Sequence, residues 1–179
     1  MQHMFDELRR VRDVVTRAVG ALDVDCMEGA AQRVLFDLLE DIKRPIAAAQ
    51  ALVVGGMERT GAWEDGKAKS PQAWVADRTG GSWGEACATV ELGQGLRACP
   101  DTATALLDGR ISATQAGLVA RAASVDPHAE YRMLDLAGRA SVKELKDAAQ
   151  RVVASASGQT DEEQAAVHRT RFLRTWTGT

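Results

Sequence analysis

Basic side chains at predicted helix ends are the residues of this sequence whose types and spacing suit chemistry with a phosphate backbone. Arg110 and Arg139 directly follow a glycine in two copies of one turn pattern, and Lys143 and Lys146 begin the next predicted helix. The N-terminus of a helix favours anions, so cations beside it form a phosphate-binding surface. Solubilising surface charge is the alternative interpretation. The predicted DNA-binding residues are Arg78, Arg110, Arg121, Arg139, Lys143 and Lys146.

Residues suited to catalysis are scarce by comparison. The sequence has no nucleophile motif and no phosphate-cradling glycine loop, and His3, His128 and His168 are scattered without neighbouring ligands. The carboxylates of Glu85 and Glu144 lie where they cap helices. We therefore expect a non-enzyme with no catalytic residue, no metal and no cofactor.

A turn pattern that occurs three times in the sequence is expected to position these basic residues. Each copy has an apolar helical segment, a glycine, and a serine followed three residues later by Glu or Gln, with the serines at 82, 112 and 141. Glycine can end a helix in the left-handed conformation, and the serine pair forms a capping box that begins the next helix. The pattern predicts helical hairpins that end at Gly80-Gly81, Gly109 and Gly138. Corners of an ordinary compact helical domain are the alternative.

Long helices are predicted before the first copy. Residues Phe5 to Leu22 are amphipathic, and Asp25 with Glu28 indicates a capping box that opens a second helix. Pro45 either kinks that helix or opens a third, whose Ile46, Ala49, Leu52, Val53 and Met57 are expected to face the core. The apolar stripes show no sustained heptad, so an antiparallel hairpin and pairing between two chains both remain open.

Other local signals concern helix starts and tryptophans. Ser70 with Pro71, Asp101 and Asp126 each indicate the start of a helix, which brings the expected number to about nine. Trp63, Trp74 and Trp83 are expected to form an indole cluster, with base stacking as the alternative.

Composition limits the fold class and the cellular compartment. The 179 residues are rich in alanine, poor in aromatics and 26% charged, and their formal net charge is -3. This favours an all-α fold and gives no global attraction to nucleic acid. Three cysteines without Cys-x-x-Cys spacing, Cys26, Cys87 and Cys99, are interpreted as small core residues in a reducing cytoplasm. No signal segment or membrane span is predicted, so we expect a cytoplasmic protein without membrane contact.

The expected architecture is a multi-helix bundle of stacked helical hairpins resembling helix-turn-helix units. Residues 1–60 form the long N-terminal helices, 61–157 the three hairpins, and 158–179 a linker and the start of a truncated subdomain. In that last segment the alternation of residues 168–176 indicates a terminal β-strand.

Several short motifs after about Asp25 resemble one known family. They are Gly61-Ala62-Trp63, the stretch from Lys69 to Ala76, Gly81-Ser82, and above all the stretch from Ala105 to Ala116, ALLDGRISATQA. The chain resembles the family called domain of unknown function 222, the thirteen-E-twelve repeat family of actinobacteria. Proteins of this kind commonly carry a C-terminal HNH endonuclease domain, which this sequence lacks.

The resemblance implies an accessory role beside a nuclease. We expect a non-catalytic helical domain that binds double-stranded DNA or assembles with a C-terminal HNH nuclease domain. One departure concerns the helix after Ser82, which in relatives often carries arginines but here has no cation before Arg97. The alternative is a protein-interaction or homodimerisation module with no DNA contact.

Overall fold

The computed structural model describes residues 1–64 and 66–156, and this part of the chain consists of helices joined by turns and loops, without strands. The all-α prediction is confirmed. Eight α-helices are present in the described part: α1 (Gln2–Gly20), α2 (Gly29–Thr60), α3 (Pro71–Thr79), α4 (Trp83–Gly95), α5 (Pro100–Leu107), α6 (Ala113–Ala123), α7 (Ala129–Ala137) and α8 (Val142–Ala156). The predicted linker and the strand at 168–176 lie outside the described residues.

The chain divides into two compact units, Met1–Glu40 and Asp41–Thr179, and the boundary falls inside α2. In the first unit, a short 3-10 helix at Val24–Cys26 separates α1 from the start of α2. Asp25 lies within this 3-10 helix and α2 begins only at Gly29, so the predicted capping box at Asp25 is wrong. Cys26 is exposed, which contradicts its assignment to a core, whereas Cys99 is fully buried.

Helix α2 runs through Pro45 without ending, so the prediction that Pro45 opens a third helix is wrong. Proline has no N–H to donate, and a long helix tolerates one such gap when other contacts hold it. The buried face of α2 consists of Ala48, Ala51, Val54 and Gly55. Ile46 and Val53, predicted to face the core, are instead exposed, with 49% and 60% of their surface accessible. Ala49 is exposed as well, while Leu52 packs partly against the core.

The core of the second unit combines alanines with larger apolar residues on α2, α4, α5, α6, α7 and α8, and Leu106 and Leu145 are fully buried in it. Helices α2 and α4 cross at two glycines. A Cβ added at Gly55 would lie 2.5 Å from the carbonyl oxygen of Gly93, and one added at Gly93 would collide with the carbonyl oxygen of Ala51. The backbones therefore approach more closely here than any side chain would permit.

The three predicted capping boxes are confirmed. The hydroxyl oxygens of Ser82, Ser112 and Ser141 accept hydrogen bonds from the backbone N–H groups three residues on, and the side chains of Glu85, Gln115 and Glu144 accept from the serine N–H groups in return. These bonds to Ser82 and Ser141 lower the pKa of the Glu85 and Glu144 carboxyls, so both are anionic at neutral pH.

The glycines of the three turns do not all behave alike. Gly80 and Gly109 adopt φ of 65° and 71°, the left-handed conformation that the pattern predicts. Gly138 has φ of -73°, so the left-handed turn predicted for the third copy is wrong. There the chain stays right-handed because the N–H of Ala140 still bonds the carbonyl of Leu136 at 2.8 Å.

Helix α5 is capped from another helix rather than by the predicted Asp101. Its N-cap position is Cys99, which gives no side-chain hydrogen bond, and Asp101 lies in the first turn. Glu130 of α7 accepts hydrogen bonds from the backbone N–H and the hydroxyl of Thr102, at 2.9 and 2.8 Å. Burial, together with the Glu130 carboxylate, raises the pKa of the Cys99 thiol, so that thiol stays protonated.

Asp126 also acts differently from its prediction. Helix α7 begins at Ala129 with His128 at the N-cap position. The Asp126 carboxylate instead accepts from the N–H of His128 at 3.1 Å and from Arg132 at 3.0 Å, so it holds the turn that precedes the helix.

Candidate functional site

The most compact group of predicted DNA-binding residues lies at the turn between α7 and α8. The capping box of Ser141 and Glu144 fixes the start of α8, and Lys143 and Lys146 project from its first two turns. Both lysines are exposed, and neither has an ion-pair partner among the residues that the structure describes. Glu144 and Asp147 share these turns, so the two positive charges are balanced by two negative ones.

The two arginines of the turns are held by neighbouring carboxylates. The guanidinium of Arg139 lies 2.6 Å from the carboxylate of Asp135, one helical turn away, and that of Arg110 lies 3.4 Å from Asp108. All four side chains are more than half exposed, and exposed ion pairs contribute only about 0–1 kcal/mol. A phosphate can therefore replace either carboxylate at small cost, but the unbound chain presents little net positive charge at these points.

Arg78 and Arg121 do not extend this group into a single patch. Arg121 is in the last turn of α6, whereas Arg110 precedes the first turn, so the length of α6, about 16 Å, separates the two backbones. Arg78 stacks on Trp74, with its guanidinium 4.7 Å from the ring centroid. The Arg78 guanidinium is therefore engaged in a cation–π pair with a residue of the same helix.

The predicted indole cluster is not formed. Trp74 packs partly against Val54, Val75, Ala86 and Val90, but Trp83 at the start of α4 is 59% exposed.

Two polar contacts hold the hairpin turns and were missed by sequence reasoning. The Arg44 guanidinium of α2 donates to the carbonyl of Gly109 at 3.1 Å, and Gln115 donates through its amide nitrogen to the carbonyl of Ala137 at 2.8 Å. Each pair is more than twenty residues apart in sequence, and no local pattern could have predicted it.

No group of three or more metal-ligating side chains occurs within residues 1–64 and 66–156. None of the helices in this described part combines the length and apolar character that crossing a bilayer requires.

The comparison with known families gives one match. The model of the family described as Domain of unknown function (DUF222) covers residues 35–175, about four fifths of the chain. The chain belongs to the DUF222 family. No curated protein and no solved structure matches it. The DUF222 match includes α3 to α8 and most of α2 but excludes α1.

The DUF222 chain also has a feature that the sequence reasoning missed. Because α2 continues through Pro45, its apolar residues form one series with alternating steps of four and three over 19 residues, somewhat less than three heptads. We call this series the α2 seam: Leu35, Leu39, Ile42, Ile46, Ala49 and Val53. Splitting the helix at Pro45 had concealed it.

Helix α1 carries a series with the same spacing. We call it the α1 seam: Met4, Leu8, Val11, Val15, Ala18 and, just beyond the helix, Leu22. No residue of α1 is buried. In both seams only Val15 and Leu35 are half-buried, and all the other members are exposed.

Proposed function

We propose that the chain is a non-catalytic assembly module whose N-terminal helices bind a protein partner through the α1 and α2 seams. One observation carries this proposal. Of 21 large hydrophobic side chains exposed in the described part of the chain, 16 belong to the first 53 residues. Large contiguous apolar surface on a folded protein marks an interaction site. The resemblance to nuclease-associated domains makes an HNH nuclease domain one class of partner.

Three carboxylates have structural roles, which supports a non-catalytic module. Glu85 and Glu144 are engaged in capping boxes, and Glu130 caps α5. Each has a structural partner that accounts for its position.

Binding of the dye ANS to the full chain tests the assembly module. At high dilution, where partners dissociate, we expect dye fluorescence that is roughly halved when Leu8, Val11, Ile42 and Ile46 are replaced by Glu, because apolar surface binds the dye. The control variant V34E/Y131E changes exposed hydrophobic residues outside the seams and should retain most of the signal. A wild-type chain that binds no dye at high dilution would show that its seams are covered internally, which contradicts the proposal.

Binding to double-stranded DNA is the second candidate, favoured by Lys143 and Lys146 of α8, which are exposed and have no ion-pair partner among the described residues. Phosphate contacts release counterions, so we expect weak, sequence-tolerant binding that salt strongly reduces. Fluorescence anisotropy at several salt concentrations should show that K143Q/K146Q flattens the slope of log affinity against log salt by about two units, about one for each lost contact.

The matched control removes two positive charges elsewhere. Arg10 and Lys69 are exposed cations far from α8 in sequence, so R10Q/K69Q has the same net charge as the test variant. It should leave the slope unchanged. If both variants flatten the slope equally, the effect comes from the net charge of the chain and not from a contact of Lys143 and Lys146 with DNA. If the wild-type chain does not bind DNA at low salt, the DNA-binding candidate is wrong.

A further inference from the structure

We infer that the partner of the seams is a second copy of this chain, and that α1 and α2 of each copy join in a four-helix bundle. This inference rests on the proposed function as an assembly module. It follows from the shared repeat of the seams, the width and size of the apolar surface, and the balanced charge of the two helices.

The two seams share one repeat. Each member of the α2 seam lies 31 residues after the corresponding member of the α1 seam, and alanine is fifth in both. Two helices whose apolar side chains repeat on average every 3.5 residues can pack these side chains into each other's gaps along their whole length. Every copy presents two matching helices, so two copies supply the four that a bundle needs.

The width of the apolar surface favours four helices over two. In a two-stranded coil only the seam positions are apolar, whereas a bundle helix is also apolar at the positions beside the seam, since it contacts more than one neighbour. Several of these flanking positions are hydrophobic in both helices. They include Phe5, Val14 and Val19 beside the α1 seam, and Phe36 and Leu38 beside the α2 seam, all of them exposed.

The size of the surface suits a stable dimer. From Leu35 to Val53 the α2 seam extends about 27 Å. Together with the α1 seam and the flanking positions, the exposed hydrophobic side chains supply on the order of 1,000 Å² per copy, and a standard interface needs about 800 Å² per partner.

Charge argues against DNA or an anionic lipid surface as the occupant. The four arginines of α1 share that helix with Asp6, Glu7 and Asp13, and the acidic residues of α2 share it with Arg33, Lys43 and Arg44. Neither helix therefore carries the concentrated positive charge that phosphate groups attract.

Light scattering after size exclusion tests the dimer on the full chain. The wild-type chain should have twice its 19.2 kDa monomer mass at micromolar concentration. Both I42E/I46E on the α2 seam and L8E/V11E on the α1 seam should reduce the mass to that of one chain, with unchanged helical circular dichroism. The control V34E/Y131E should remain dimeric. If a Glu variant loses helix content, serine replacements at the same positions serve as the test.

Three results would overturn the inference. A dimer that survives I42E/I46E does not use the α2 seam. If L8E/V11E remains dimeric while I42E/I46E becomes monomeric, α1 takes no part in the interface and the dimer is not a four-helix bundle. A wild-type chain that remains monomeric does not self-associate, which overturns the inference. If this monomer still binds ANS at high dilution, the proposed assembly module is retained with a different partner. If it binds no ANS, both proposals fail.

Discussion

Replacing Gly55 with alanine should lower the free energy of unfolding by about 2 kcal/mol, even though alanine is the better helix former. The added methyl would lie 2.5 Å from the carbonyl oxygen of Gly93, and neither backbone can move without separating α2 from α4. G93A should act similarly from the other helix, because its methyl would meet the carbonyl oxygen of Ala51. Chemical denaturation followed by circular dichroism measures both changes.

The adjacent glycine provides the matched control. Gly56 is in the same helix, and a Cβ added there meets no atom within 4 Å. G56A should therefore raise the free energy of unfolding by about 0.5–1 kcal/mol, because alanine restricts the unfolded chain and favours the helix. A rise in the free energy of unfolding for G55A as well as G56A would show that the helices do not cross closely at Gly55.

Replacing Glu130 with alanine should destabilise the second unit by about 2–4 kcal/mol. The change removes two hydrogen bonds to a charged acceptor and leaves the N–H and hydroxyl of Thr102 without their partner, and the Thr102 side chain is fully buried. No side chain at the Cys99 N-cap can replace the lost contact. Thermal and chemical unfolding of the full chain measure the loss.

The conservative variant E130Q distinguishes hydrogen bonding from packing. A glutamine oxygen can still accept both bonds, so E130Q should lose about 1 kcal/mol at most, the difference between a charged and a neutral acceptor. If E130A and E130Q were equally stable, the contact with Thr102 would contribute little.

The parts of the fold that the sequence predicted correctly are those determined within a few residues. Ser82, Ser112 and Ser141 bond the turn that follows them, so a four-residue pattern was sufficient to locate three helix starts. The start of α5 was misplaced because its capping group is Glu130, 28 residues away from Thr102. Such a contact exists only after the helices have packed.

The core-facing side of α2 was mispredicted for a related reason. Hydrophobicity favoured Ile46 and Val53, whereas the core requires the small Ala48, Ala51 and Gly55, because α4 approaches too closely for larger side chains. The packing of α2 against α4 depends on the size of the side chains, and a pattern of hydrophobic positions contains no information about side-chain size. The candidate cations were predicted by type alone, and the sequence did not show that Arg139 is paired with Asp135.

The bond from Gln115 to the carbonyl of Ala137 means that the three turns are not interchangeable. In the first and third copies the equivalent residues are Glu85 and Glu144, which cap their own helices but have no hydrogen to donate. A chain with its second and third copies exchanged would place a carboxylate against the carbonyl end of α7, where like partial charges repel. This one amide therefore makes the second copy suited to its place beside the end of α7.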